Sequence, residues 1–213
     1  MIARSRIARM GFALALAVAA QSQAQTAGPY RRGIDVMDYA FVIDLPDTGS
    51  VIRGDADITF RRTARIDTLV LDLREMRVTR VTLEDRPRRY TRDDSTIRIS
   101  LPRGDTGTFR VGVTYTGKVS DGLIVQRDSA RRWTYFADNW PNRARFWLPT
   151  VDHPSDKATV TFSVRGPTNR TVVANGALLQ RQTTGTGRRA RTMTRWRESK
   201  PIATYLMVIA AAP

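Results

Sequence analysis

The chain has 213 residues, with 35 Lys and Arg against 20 Asp and Glu, a formal net charge of +15 and no cysteine. The length suits one domain with a proper core, and the lack of cysteine excludes disulfides and Cys-based structural metal sites, so stability has to come from packing. The charge raises nucleic-acid binding as a reading. The basic residues, however, are spread along the chain and nearly all are Arg, the only lysines being Lys118, Lys157 and Lys200. A nucleic-acid footprint is clustered. The one dense run, Arg188-Arg189-Ala190-Arg191 beside Gly185 and Gly187, reads as a basic loop tip, and no nucleic-acid partner is expected.

Arg4, Arg6 and Arg9 precede the apolar run Met10–Ala20, and Gln21-Ser22-Gln23-Ala24 follows it. That layout predicts a secretory signal peptide over residues 1–24, with Ser22 and Ala24 at the cleavage signal. The apolar run is too short for a spanning helix, which needs about 20 residues. Export to a periplasmic or extracellular compartment is expected, with a domain over 25–213 and no membrane contact after cleavage.

Beyond the leader, alternation of period two predicts strands. Ala56, Ile58 and Phe60 alternate with Asp55, Asp57 and Thr59; Ile97, Ile99 and Leu101 with Thr96, Arg98 and Ser100. Phe109, Val111, Val113 and Tyr115, and later Val160, Phe162 and Val164, do the same. Arg98, Arg110 and Arg165 fall on the wet faces. Turn signals stand at Pro46-Asp47-Thr48-Gly49, Arg103-Gly104-Asp105 and Thr116-Gly117, and Asn175-Gly176 predicts a hairpin. Thr68–Val81 fits a strand through Leu69, Leu71 and Leu73 or a helical turn at Arg74-Glu75-Met76. The apolar stretch Ala203–Ala211 predicts a strand buried on both faces. The chain then stops at Ala212-Pro213 without a polar tail, and a further segment is expected to follow. Many short strands and no amphipathic helix indicate an all-β, antiparallel sandwich or barrel.

The densest stretch is Trp133–Ala158, with three of the four tryptophans. Trp133–Phe136 reads as a strand that Asn139-Trp140-Pro141-Asn142 breaks. Asp152-His153-Pro154-Ser155 reads as a second turn, in which His153 is a turn residue. The aromatics suit a core, and Arg145 can pair with Asp152 to pin the long connection. His153 is the only histidine, so the chain cannot supply the three ligands, commonly two of them His, of a catalytic zinc site. No metal site and no catalytic residue are expected here.

Ala144-Arg145, Pro149, Asp152, Pro154 and Lys157-Ala158, in this order and spacing, resemble the N-terminal domain of the aminopeptidase N family. Val172–Gly176, Trp196–Tyr205, the opening Asp38-Tyr39 strand and Gly54 continue the likeness over residues 34–211. The resemblance implies a saddle-shaped β-sandwich that braces a separate zinc-bearing catalytic domain of the same polypeptide, with zinc held there and a peptide as substrate. It also implies that this domain helps bind the free α-ammonium of the substrate through an acidic or amide side chain before Ala144-Arg145. The positions fall on Asp138 and Trp140. Trp140 accepts no hydrogen bond, so Asp138 is the candidate anchor and Asn139 the second; Asp138 can equally cap the following turn. A stand-alone peptide- or sugar-binding module, with Trp140 and Trp147 as a platform, is the alternative.

Overall fold

The structure, a computed structural model, describes residues 31–104 and 106–213; the expected leader lies outside the described residues. Fifteen strands follow one another: β1 (Ile34–Asp44), β2 (Val51–Arg62), β3 (Thr68–Asp72), β4 (Arg77–Leu83), β5 (Arg86–Pro87), β6 (Tyr90–Arg92), β7 (Thr96–Ser100), β8 (Gly107–Lys118), β9 (Leu123–Arg127), β10 (Trp133–Ala137), β11 (Lys157–Pro167), β12 (Thr171–Ala174), β13 (Ala177–Thr184), β14 (Arg191–Ala203) and β15 (Ile209–Ala212). Helical structure among the described residues is limited to single 3-10 turns at Ala144–Phe146, Gly187–Arg189 and Thr204–Leu206.

These strands make an eight-stranded sheet (β13-β14-β11-β1-β2-β8-β4-β5), a four-stranded sheet (β12-β15-β10-β9) and a three-stranded sheet (β3-β7-β6). One buried apolar cluster joins them. It runs from Phe41, Ile58, Val113 and Phe162 of the large sheet to Leu69, Leu71, Ile97 and Ile99 of the three-stranded sheet. Tyr135, Ile209 and Ala211 bring in the four-stranded sheet. The all-β sandwich follows from the alternation: Ala56, Ile58 and Phe60 face this core while Asp55 and Asp57 are exposed. One pair, β1 with β11, runs parallel. A bulge in β1 between Val36 and Asp38 turns the extra residue Met37 outward, so that Val36 and Tyr39 both point inward.

Three local expectations are corrected. Thr116-Gly117 is no turn; both residues lie inside β8, where Gly117 leaves space for Met76, whose sulfur would stand 2.7 Å from an added Cβ. Asn175-Gly176 does turn the chain, with Gly176 at φ +82°, but β12 pairs with β15 and β13 with β14. The turn therefore carries the chain from one sheet to another and closes no hairpin. Ala203–Ala211 is no single strand either: the 3-10 turn at Thr204–Leu206 separates β14 from β15, and Leu206 is 45% exposed. Thr68–Val81 resolves into β3 and β4 around a tight turn at Glu75, φ +59°.

Candidate functional site

The stretch 133–158 builds one end of the four-stranded sheet. β10 pairs with β9 from Trp133↔Arg127 to Ala137↔Leu123, and Asp138 N–H then donates to Gly122 O at 2.7 Å. Gly122 has φ +75°, and a Cβ there would overlap the backbone carbonyl of Arg143, so only glycine allows this close approach. The Trp140–Pro141 peptide is cis.

Asn139 is 1% exposed and is spent inward. Its Oδ1 accepts from Trp147 Nε1 at 2.8 Å, and its Nδ2 donates to Met207 O at 2.6 Å and Thr204 O at 3.4 Å. It ties the turn to the fully buried Trp147, whose indole stacks on Phe162 at 6.2 Å.

Asp138 stays at the surface, 42% exposed, and accepts an ion-paired hydrogen bond from Arg143 Nη2. Arg143 Nη1 also meets Asp121 at 3.3 Å, and its Nε donates to Trp140 O at 2.6 Å. Partial burial lowers the Arg143 pKa, but the bonds and charges of Asp138 and Asp121 outweigh it and the pKa is raised. Two carboxylates share one guanidinium, which leaves this corner with one net negative charge. Asp138 is thus tied across the turn through the Arg143 side chain. Trp140 is 53% exposed and packs edge-on against Tyr205, ring centroids 5.0 Å apart.

The remaining motif residues form the frame behind this corner. Arg145 Nε meets Asp152 Oδ2 at 2.9 Å and Arg145 Nη2 donates to Asp152 O at 3.0 Å, so the expected pair pins the connection. Burial raises the Asp152 pKa, offset only in part by Thr204, which donates to Asp152 Oδ1 at 2.7 Å, and by Arg145. Asp152 N–H donates to Asp72 Oδ2 at 3.1 Å, and Arg31 pairs with Asp72 at 2.7 Å. Val151 N–H donates to the buried Tyr39 hydroxyl at 2.9 Å, which joins the loop to β1. Pro149 is buried, Pro154 lies in an exposed turn, and Lys157 opens β11 at the surface. His153 sits in that turn: its Nδ1 accepts from Ser155 N–H at 3.2 Å and lies 2.6 Å from the Ser155 hydroxyl.

Sequence reasoning passed over Arg143 and Asp121, although Arg143 stands inside the aromatic-rich stretch; Asp121 arrives from a distant loop and carries no local signal. It also missed the outer face of the sheet. Register places Val173, Ala210, Phe136 and Ile124 in one row across all four strands. Val173 is 47%, Phe136 54% and Ile124 40% exposed. No group of three or more His, Cys, Asp and Glu among the described residues is placed to hold a metal ion. The described residues do not fit zinc.

A strand-built domain with an apolar row open on its four-stranded sheet, and no metal-binding cluster among its described residues, is the class that fold and site define. Residues 37–206 match the model of the peptidase M1 N-terminal domain, and the chain belongs to that family. Among solved structures it is similar to an M1 zinc metallopeptidase from Deinococcus radiodurans, at 25% identity and a TM-score of 0.74. The match covers 86% of this chain and 43% of that one. A mutant of the same metallopeptidase bound to a Tyr-Ser-Ala substrate gives 26% identity, a TM-score of 0.73, and coverage of 85% and 43%. Native yeast LTA4 hydrolase, at 19% identity and a TM-score of 0.71 over 85% of this chain and 30% of its own, shares the fold. No curated protein matches the chain. The chain thus spans less than half the length of the structures it resembles.

Proposed function

We propose that the chain is the noncatalytic front domain of an exported zinc aminopeptidase, bracing a catalytic domain of the same polypeptide and helping to hold the substrate's free amine. Zinc then belongs to that catalytic domain, and the part left to this chain is docking and substrate binding. The observation that carries the reading is the apolar row Val173–Ala210–Phe136–Ile124 on the open face of the four-stranded sheet. A contiguous apolar patch on a soluble domain marks a surface that another body covers, and the family supplies that body. Asp138 stands at the end of the same strand as Phe136. The single net negative charge it shares with Asp121 and Arg143 complements an α-ammonium group. Nucleic acid has no part in this reading, because much of the positive charge is paired across strand faces, as in Arg165–Asp44 and Arg197–Asp38. No helix among the described residues is long and apolar enough to cross a membrane.

The test is Asp138→Ala in the polypeptide that joins this chain to its catalytic domain. Losing one partner of a desolvated charge pair costs about 2–5 kcal/mol, so kcat/KM for peptides with a free amine should fall by roughly 30-fold or more. Melting temperature should stay put. A collapse in stability, or kcat/KM within about threefold of the parent, would put the anchor elsewhere.

A further inference from the structure

The opposite end of the four-stranded sheet, where β9 turns into β10, carries positive charge instead. A cavity of about 420 Å³ opens there, with Arg132, Trp133, Arg170, Arg188, Arg191 and Asp47 in its wall. Four arginines line it beside Asp47 and the last residue, Pro213. The Asp47 carboxylate is taken: Arg191 Nη2 meets Asp47 Oδ2 at 3.0 Å, while Arg191 Nη1 donates to Arg188 O at 3.2 Å and Ala190 O at 3.0 Å. Arg170 is only 5% exposed. It donates to Pro46 O and Asp47 O, each at 2.7 Å, and its guanidinium lies 4.8 Å from the centroid of the Tyr135 ring. Carbonyl dipoles and a π face hold this buried cation, with no carboxylate in hydrogen-bond contact among the described residues. Arg132 gives Nε and Nη2 to Asp128, which leaves Nη1 without a partner among the described residues. The Arg188 side chain, exposed on the loop between β13 and β14, has no partner there either.

We propose that this cavity binds a phosphate-bearing ligand. Cations gathered in a concavity with low-dielectric walls focus a positive potential into it. Arginine forks match phosphate oxygens, and one fork would already satisfy a carboxylate. Here the cations come from three separate segments: the β9–β10 turn, the loop before β12 and the β13–β14 loop. That arrangement suits a tetrahedral dianion approached from several sides. The volume lies in the range of small-molecule sites, roughly 300–1,000 Å³, and leaves room for an organic group against Trp133. Pro213 also lines the cavity, so a catalytic domain joined after it would border the site.

Calorimetric titration of the whole chain with inorganic pyrophosphate, at constant ionic strength, tests it. Saturable one-to-one binding is expected. Arg188→Ala should weaken it at least tenfold and Arg188→Glu should abolish it, with melting temperature unchanged because Arg188 is exposed. Arg98→Ala, on the three-stranded sheet, should leave it as it was. Vesicles of phosphatidic acid in phosphatidylcholine distinguish the sources. Vesicle binding lost in Arg188→Glu assigns a lipid headgroup, and pyrophosphate binding without it assigns a soluble phosphate ester. No saturable binding at millimolar pyrophosphate, or parent-like binding by Arg188→Glu, overturns the proposal. So does binding that Arg98→Ala and Arg188→Ala weaken alike, which is the signature of diffuse surface charge.

Discussion

The central strands of the eight-stranded sheet and the strands of the four-stranded sheet obey the same period of two and end up with different chemistry on their outer faces. On the central strands of the large sheet the outward positions include Asp38, Asp44, Asp55, Arg110 and Arg165, tied across strands by Arg165–Asp44 at 2.5 Å, Arg197–Asp38 at 2.6 Å and Thr114–Asp55 at 2.7 Å. Its exposed apolar residues, Met37, Val51, Leu178 and Leu179, stand at a bulge, a strand start and the edge strand. Exposed pairs of this kind contribute about 0–1 kcal/mol each, so the charged centre of that face is at home in water. On the small sheet the outward positions are Ile124, Phe136, Val173 and Ala210. Covering apolar area stabilises by roughly 25 cal/mol per Å², a gain the chain leaves unrealised within its described residues. The difference is between a charge-paired centre on one face and an apolar row across every strand of the other.

If the apolar face is a docking surface, the frame behind it should be rigid, and Trp147→Ala tests that first. Trp147 is fully buried, stacked on Phe162 and bonded to Asn139. Its loss should cost about 3–5 kcal/mol in chemical denaturation, whereas a cost below about 1 kcal/mol would show that the corner is loosely held.

A comparable effect of opposite sign is expected at Asp156, beside the start of β11. This residue is 7% exposed, its Oδ1 accepts from Val36 N–H at 3.2 Å, and its Oδ2 has no partner among the described residues. Burial pushes its pKa up to about 7; the Val36 bond opposes this and the charge of Asp35 adds to it. Between the ordinary carboxylate range near pH 4 and pH 7 the folded state keeps a proton that the unfolded state has lost. Stability therefore falls as pH rises through that window, by up to about 4 kcal/mol, and the full cost remains above it. Asp156→Asn keeps an acceptor for Val36 and should flatten the profile, raising stability at pH 8 but not at pH 4. An unchanged slope in denaturation curves from pH 4 to 8 would contradict it.

The sequence made the alternating strands and the Arg145–Asp152 tie legible because both are local: a two-residue period, and two charged residues a short loop apart. What stayed hidden depended on distant partners. Gly117 looks like a turn until Met76 is seen to occupy the space beside it. Asn175-Gly176 adopts the turn its residue types favour, yet β13 and β12 go to different sheets because β14 and β15 claim them. Asn139 has the chemistry of a substrate acceptor, but Trp147 and the carbonyls of Thr204 and Met207 engage its amide. The apolar row was invisible for the same reason: Ile124, Phe136, Val173 and Ala210 align only once four strands are in register.

The most direct measurement uses the two-domain polypeptide with a protease site placed after Pro213. After cleavage, sedimentation asks whether the halves stay together. They are expected to do so, and Phe136→Asp with Val173→Asp should separate them, weakening association at least tenfold while the isolated chain's stability moves by no more than about 0.5 kcal/mol. Arg165→Asp on the large sheet should leave association unchanged. Halves that stay together in the apolar-face variant, or come apart in the Arg165 variant, would contradict the claim that the four-stranded sheet is the seat of the catalytic domain.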